Sequence, residues 1–184
     1  MKSTESTIKY VAFLRGINVG GHHKVPMAEL RKELEGLNLK NVATILNSGN
    51  VLFDSTTENL NELEQVISER LEKTFGFSIP TILVKILSIK DLLDNDPFKE
   101  IEVTKETRLY VSFLKNDVKT NLELPWTSED GSFTILDKRH KTIISVLDLS
   151  ISNTPKGMEA LEKHFGKDIT TRNWNTIKRI EKKL

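Results

Sequence analysis

Hydrophobic residues in the first half of the chain follow two spacings, one typical of strands and one typical of helices. Ile8–Leu14 is a continuous apolar run with β-branched and aromatic residues, which predicts a buried strand. The same kind of pattern predicts three further strands, at Val42–Leu46, Val51–Asp54 and Ile79–Ile86. Apolar residues at helical spacing predict two helices, one through Met27, Leu30, Leu34 and Leu37 and one over Leu60–Phe75. The resulting order, β-α-β-β-α-β, is that of a ferredoxin-like domain.

The second half of the chain repeats two segments of the first. YVAFLR at Tyr10–Arg15 returns as YVSFLK at Tyr110–Lys115, 100 residues later. LEKTFGFSIPT at Leu71–Thr81 returns as LEKHFGKDITT at Leu161–Thr171, 90 residues later and with seven of eleven positions identical. Two matches in the same order indicate an internal duplication. The second copy is degenerate, because Asn116–Gly131 is a poor match to the first copy's opening helix.

These patterns predict an α+β protein of two tandem ferredoxin-like subdomains. We place the first at residues 1–90, a connecting helix or loop at 91–106, and the second subdomain with a C-terminal helix at 107–184. In the connection, Ser88 is a candidate N-cap for a short helix through Leu93, and Pro97 then ends it.

Composition narrows the classes of function. The chain has 27 basic and 26 acidic residues, so general attraction to a polyanion should be weak. It contains no Cys, which excludes disulfides, thiol catalysis and Cys-ligated zinc and fits a reducing compartment. The sequence shows neither a signal-peptide pattern nor the roughly 18 consecutive apolar residues of a membrane span. We therefore expect a soluble cytoplasmic protein that does not associate with membranes.

Two glycine-containing connections form the main candidate site. RGINVGGHHK follows the first strand and leads to a helix that starts near Pro26, and NSGN joins the second and third strands. In the predicted fold both connections lie at the same edge of the sheet, where ligands of α/β proteins often bind. The candidate ligand-binding residues here are Arg15, Gly16, Asn18, Gly20, Gly21, Lys24, Ser48, Gly49 and Asn50.

The residue types in these connections suit an anionic ligand. Glycines allow backbone N–H groups to approach a ligand, and a helix N-terminus carries a partial positive charge. Neither the Walker A motif nor the G-x-G-x-x-G fingerprint is present. The alternative interpretation is structural: a β–α connection that needs positive φ angles, and an ordinary hairpin turn.

The C-terminal segment TTRNWNTIKRIEKKL supplies two more candidates. Thr171 is a suitable N-cap for a helix whose apolar stripe includes Trp174, which we expect in the core rather than on a ligand. Arg172 and Asn173 would then lie in the first helical turn, where a cation is unfavourable to the helix dipole. We add both as candidate ligand-binding residues, although a solvated helix face is the simpler interpretation.

Catalytic chemistry is not evident in the sequence. His22 and His23 are adjacent and diverge on an extended backbone, so we expect a surface pair rather than a metal site. No carboxylate cluster or nucleophile–base pattern identifies a metal, a cofactor or catalytic residues.

The motifs RGINVGG, SGNVLF and TRNWNT, in this order, resemble the bacterial family catalogued as domain of unknown function 1697. The resemblance covers almost the whole chain and implies a small cytoplasmic α+β protein without an established activity. It also implies that the candidate residues named above, except Lys24, match the family signature, as does Trp174. His22 and His23 stand where the resemblance implies Lys and Asn, which weakens any histidine-based mechanism.

The sequence thus favours a site for a small phosphate- or carboxylate-bearing ligand, with or without turnover. Two alternatives stay open. The element order matches that of an RNA-recognition domain, although Asn50–Phe53 lacks the Lys/Arg-Gly-aromatic pattern of its third strand. The chain could also be a non-catalytic scaffold that forms homo-oligomers through an exposed sheet edge.

Overall fold

The computed structural model describes residues 6–184, which form a mixed α+β fold with two antiparallel sheets and five helices. The chain divides into two compact units, Met1–Asp91 and Leu92–Leu184. None of the helices in the described residues combines the length and the apolar character that crossing a bilayer requires.

The first unit is built on a four-stranded sheet. Its elements are β1 (Ile8–Leu14), α1 (Met27–Glu35), β2 (Lys40–Ile45), β3 (Asn50–Ser55), α2 (Leu60–Phe75) and β4 (Thr81–Lys85), followed by α3 (Ile86–Asp94). The strand order is β2-β3-β1-β4, and every neighbouring pair is antiparallel. Because β1 and β2 both run antiparallel to β3, they point the same way, so the end of β1 and the β2–β3 hairpin lie at one edge of the sheet.

The core of the first unit lies between this sheet and the helices α1 and α2. The side chains of Leu30 and Leu34 on α1 are fully buried, as expected from their helical spacing. Helix α2 starts at an N-cap, Asn59, whose side chain accepts a hydrogen bond from the Glu62 N–H at 3.3 Å. It ends at Gly76, whose φ of 78° is the left-handed conformation common after helices.

The second unit has a five-stranded sheet. Its elements are β5 (Thr107–Leu114), β6 (Trp126–Thr127), β7 (Phe133–Arg139), β8 (Thr142–Asp148), α4 (Thr154–Phe165), β9 (Ile169–Asn173) and α5 (Trp174–Glu181). The strand order is β6-β7-β8-β5-β9. Leu161 and Phe165 of α4 pack on one face of this sheet.

The structure contains no helix between Asn116 and Gly131, consistent with the poor match of this segment to the opening helix of the first unit. Apolar side chains of the segment instead lie half-buried against the core of the second unit: Val118, Leu122, Leu124 and Trp126. Burial of these side chains replaces part of the apolar contact that a helix would make.

Several predicted element boundaries were wrong. Helix α3 starts at Ile86, so Ser88 lies inside the helix and is not its N-cap. The strand predicted over Ile79–Ile86 ends at Lys85, and Ile86 already belongs to α3, where its side chain and that of Ile89 are buried. The C-terminal helix starts at Trp174 rather than after Thr171. Thr171 lies in β9, where the β-branched residues preceding Arg172 favour a strand, and its hydroxyl is 2.8 Å from the Ser112 hydroxyl on β5.

Candidate functional site

The connection between β1 and α1 is a compact loop that requires left-handed backbone conformations. The φ angles of Gly16, Gly20 and Gly21 are 74°, 59° and 79°, and Asn18 also has a positive φ, 55°. Gly20 and Gly21 form the two central positions of a tight turn, in which the His22 N–H donates to the Val19 carbonyl at 3.1 Å. Positive φ at both central positions is typical of a type I′ turn, in which glycine is strongly preferred.

Asn18 organises this loop through both ends of its side-chain amide. Its Oδ1 accepts from the Val25 N–H at 2.8 Å, while its Nδ2 donates to the Val25 carbonyl at 3.1 Å. The same Nδ2 donates to the carbonyl of Asn47, in the β2–β3 hairpin, at 2.8 Å. The amide of Asn18 is therefore committed to contacts within the protein.

The loop and the hairpin meet directly. The Leu14 N–H donates to the Gly49 carbonyl at 2.8 Å. A Cβ on Gly49 would lie 2.8 Å from the Leu14 Cβ and 2.9 Å from the Ile17 Cδ1, so only glycine fits at this position without a shift of its neighbours. These contacts confirm that the two glycine-containing turns converge at one edge of the sheet.

Asn50 shapes the hairpin from within. Its side chain is fully buried, and its Nδ2 donates to the Ile45 carbonyl at 3.0 Å and to the Ser48 Oγ at 2.9 Å. Bonds of this kind stabilise a tight turn by satisfying polar groups that would otherwise be buried without partners. Ser48 and Asn50 are thus, like Asn18, engaged in internal hydrogen bonds.

His22 and His23 are both exposed, as expected for a surface pair. His23 also has a structural role, which its sequence pattern does not indicate. Its ring stacks on Phe77 with centroids 4.3 Å apart, and its Nδ1 lies 3.2 Å from the Gly16 carbonyl. Within the described residues, no group of three or more His, Cys, Asp or Glu could hold a metal ion.

A groove of about 500 Å³ lies where the loop leads into α1. It is lined by Asn18, Gly21, Lys24, Val25, Pro26, Met27 and Asn47. Lys24 and Asn47 are both exposed. Within residues 6–184, the contacts of Asn47 involve its backbone carbonyl and not its side chain, and Lys24 forms no ion pair. Lys24 and Asn47 therefore present a charge and an amide to whatever enters the groove.

The start of α1 forms part of the same groove. Pro26 is the N-cap residue, with φ −65° and ψ 128°, and it has no side chain that could bond to the first N–H groups of the helix. The first bond of the helix runs from the Leu30 N–H to the Pro26 carbonyl at 3.0 Å. The N–H groups of the residues before Leu30 point out of the helix end and carry the positive end of its dipole.

The two arginines among the sequence candidates form hydrogen bonds within their own units. The Arg15 N–H donates to the Pro80 carbonyl at 2.9 Å, and the Arg15 side chain is half-buried. Arg172 lies in β9 of the second unit, where its Nη1 donates to the Thr170 Oγ1 at 2.8 Å and to the Thr171 carbonyl at 2.9 Å. Burial of this guanidinium lowers its pKa to about 10.

Asn173 and Trp174 form the junction between β9 and α5. Asn173 is the N-cap of α5, and its side chain accepts from the Asn175 N–H at 2.9 Å. Trp174 is buried and meets the ring of Phe98 edge-on, with centroids 5.3 Å apart, which confirms its predicted place in the core. The correction to the helix start removes the dipole argument for Arg172, because Arg172 precedes the helix.

Sequence reasoning missed four of the residues that line the groove: Val25, Pro26, Met27 and Asn47. Pro26 and Met27 were recognised as a helix start and as part of an apolar stripe, and neither pattern indicates exposure to a groove. Asn47 stands in the polar cluster of the hairpin, so its position beside the glycines was the available signal.

Comparison with known proteins identifies the relatives of this chain. The family model described as protein of unknown function (DUF1697) matches residues 8–130. The fold is similar to that of a conserved bacterial protein from Streptococcus pneumoniae, with a TM-score of 0.62 and 24% identity over 96% of this chain and 98% of that chain. At this identity the likeness concerns the fold alone. No curated protein matches the chain.

Proposed function

The chain belongs to the DUF1697 family of proteins of unknown function, and we propose from the geometry of its first unit that it binds a small anionic ligand. The ligand would occupy the groove between the glycine loop and the start of α1. The observation that carries this proposal is the groove itself, about 500 Å³ in volume and lined by Lys24 and the first residues of a helix.

The electrostatics of the groove support an anion. The Lys24 ammonium is exposed, so a ligand can reach it without breaking an existing ion pair. The outward N–H groups at the start of α1 are hydrogen-bond donors with a partial positive charge, and such groups bind phosphates and carboxylates in many proteins. A cation and the positive end of a helix dipole beside one groove reinforce each other, because both favour negative charge.

We also assign different roles to the sequence candidates. Gly16, Gly20, Gly21 and Gly49 give the loop and the hairpin their shape, and Asn18, Ser48 and Asn50 hold that shape through internal hydrogen bonds. In this proposal Lys24 contacts the ligand, the Asn47 side-chain amide forms a hydrogen bond with the ligand, and Arg15 lies outside the groove lining. The proposal assigns binding and no reaction.

The proposal is tested by titration with inorganic phosphate and with acetate at constant ionic strength. We expect a saturable rise in Tm and NMR shifts of the Gly21, Val25 and Met27 amides. Lys24→Gln should weaken binding by about tenfold or more, since a charge-assisted hydrogen bond contributes roughly 1.5–3 kcal/mol. Lys32→Gln is the matched control, because Lys32 is exposed in the last turn of the same helix. Saturation unaffected by Lys24→Gln would contradict the proposed site.

We also propose that the two units arose by duplication of a ferredoxin-like domain. Strand orders β2-β3-β1-β4 and β7-β8-β5-β9 correspond, and a helix follows the last strand of each unit directly. Two backbone hydrogen bonds recur at the matching strand end. Leu14 N–H to Gly49 O corresponds to Leu114 N–H to Lys141 O, both 2.8 Å, and Arg15 N–H to Pro80 O corresponds to Lys115 N–H to Asp168 O, both 2.9 Å. These correspondences support the duplication inferred from the repeated segments.

A further inference from the structure

We infer that the ligand of the groove is a small molecule with a single carboxylate on an apolar body, an inference that rests on the proposed function and narrows it. Two observations point to this class: most of the groove surface is apolar, and its polar groups are too few for a polyphosphate.

The apolar wall is formed by three consecutive residues. Val25 is buried beneath the loop, and Pro26 and Met27 continue the wall onto the start of α1. Burial of a hydrocarbon body against such a wall is favourable in proportion to the apolar area removed from water. Met27 is half-buried, and its unbranched thioether side chain can adapt to ligands of different shape.

The polar capacity of the groove is limited. Asn18 lines it, but its amide is committed to Val25 and Asn47, so Asn18 has little capacity left for a ligand. This leaves the Lys24 ammonium, the Asn47 side-chain amide and, at the start of α1, the Met27 N–H. One cation and a few neutral donors match the two oxygens of a carboxylate.

A nucleoside triphosphate or other polyphosphate fits this inventory poorly. It would bring several negative charges to a groove lined by one lysine, and Glu29 adds a carboxylate in the first turn of the same helix. Sites for such ligands in proteins use several cations or a bound metal ion. The groove composition therefore favours one anionic group and a larger hydrocarbon part.

The test is a homologous series of unbranched carboxylates, from acetate through butyrate and hexanoate to octanoate, titrated into the full chain at constant ionic strength. If each added methylene is buried on the apolar wall, affinity should rise about fourfold per methylene until the groove is filled. Amide NMR shifts should stay confined to the groove, at Gly21, Lys24, Val25 and Asn47. Octanamide, which lacks the charge, should bind at least tenfold more weakly than octanoate.

Variants of Met27 test whether the hydrocarbon part of the ligand contacts the apolar wall. Met27→Ser should reduce the gain in affinity with each added methylene. Leu87→Ser is the matched control, because Leu87 is 75% exposed on α3 of the same unit and lies outside the groove lining. Met27→Leu keeps the apolar volume and should preserve the rise in affinity with ligand chain length. This variant shows whether substitution of Met27 by itself disturbs the fold.

Three outcomes decide between the proposals. Equal affinity for acetate and octanoate, or phosphate or ATP binding more tightly than octanoate, would overturn this inference and leave anion binding in place. Octanamide binding as tightly as octanoate would overturn the carboxylate requirement. No saturable binding of phosphate, ATP or any carboxylate would overturn the proposed function together with this inference.

Discussion

The side-chain amide of Asn18 donates a hydrogen bond to the backbone carbonyl of Asn47 at 2.8 Å, joining two loops that are 29 positions apart in the chain. The other two bonds of this amide, to the N–H and carbonyl of Val25, fix the path by which the loop enters α1. Asn18 thereby sets the distance between the hairpin and the helix start. Asn18 is therefore one of the residues that shape the groove.

We predict that Asn18→Ala lowers the free energy of unfolding by about 1–3 kcal/mol, because it leaves the Val25 and Asn47 groups without their partner. Urea denaturation measures this change. Asn47→Ala is the matched control and should cost much less, since the bond uses the backbone carbonyl of Asn47. Asn18→Gly tolerates the φ of 55° but lacks the amide, so a stability equal to that of the native protein would show that the backbone conformation, not the hydrogen bonds, explains Asn18.

Gly49 should be less tolerant of substitution than the glycines at the tip of the loop. We predict a loss of about 3 kcal/mol or more for Gly49→Ala, because positive φ and a contact of 2.8 Å with the Leu14 Cβ act together. Gly20→Ala meets no atom within 4 Å, so its loss should be confined to about 1–2 kcal/mol of backbone strain. Chemical denaturation of both variants provides the comparison. Similar losses would mean that the hairpin moves away easily from Leu14 and Ile17.

The N-cap of α5 provides a test of the corrected helix start. We predict that Asn173→Ala destabilises the protein by about 1 kcal/mol and that Asn173→Asp does so much less, because both Asn and Asp accept from the helix N–H groups. Asn175→Ala, an exposed change in the first turn, is the control. If Asn175→Ala had the larger effect in thermal denaturation, the cap assigned to Asn173 would be wrong.

Much of the first unit could be predicted from sequence because its elements carry strong periodic signals. The apolar spacing of α2 and the glycine that follows it define that helix closely, and the β2–β3 hairpin is marked by its polar turn. Convergence of the two turns followed from topology alone, since the direction of each strand determines where its end lies. No contact between side chains had to be known.

The boundaries that were wrong depend on tertiary contacts that a single sequence does not display. Thr171 and Asn173 are both acceptable helix caps, and the choice between them is made by pairing with β5, where the Thr171 and Ser112 hydroxyls meet. Likewise, the polar residues of the glycine loop predicted contacts with a ligand, whereas the Asn18 side chain forms its hydrogen bonds with the protein itself. The sequence shows that a side chain can form hydrogen bonds, but it does not show which group the side chain bonds to.

Asp130 gives the second unit a defined response to acid. The Ser128 hydroxyl donates to its Oδ1 at 2.7 Å, and the Ser132 hydroxyl and backbone N–H donate to the same atom at 2.7 and 3.0 Å. These bonds favour the charged form and lower the pKa of Asp130 from 3.8 to about 2. The folded state therefore binds this proton less readily than the unfolded chain does.

We predict that the stabilisation from Asp130 is complete above about pH 5 and is lost as the pH falls from there towards 2, because the unfolded chain takes up this proton before the folded protein does. The urea midpoint of the Asp130→Asn variant should fall less steeply over this pH range than that of the native protein. Glu129→Gln is the matched control, since Glu129 is exposed and accepts no hydrogen bond within the described residues. NMR titration of the Asp130 carboxyl carbon measures the pKa directly. A midpoint near 3.8 would show that the serine hydrogen bonds do not persist in solution, and the pH dependence would then have to come from other carboxylates.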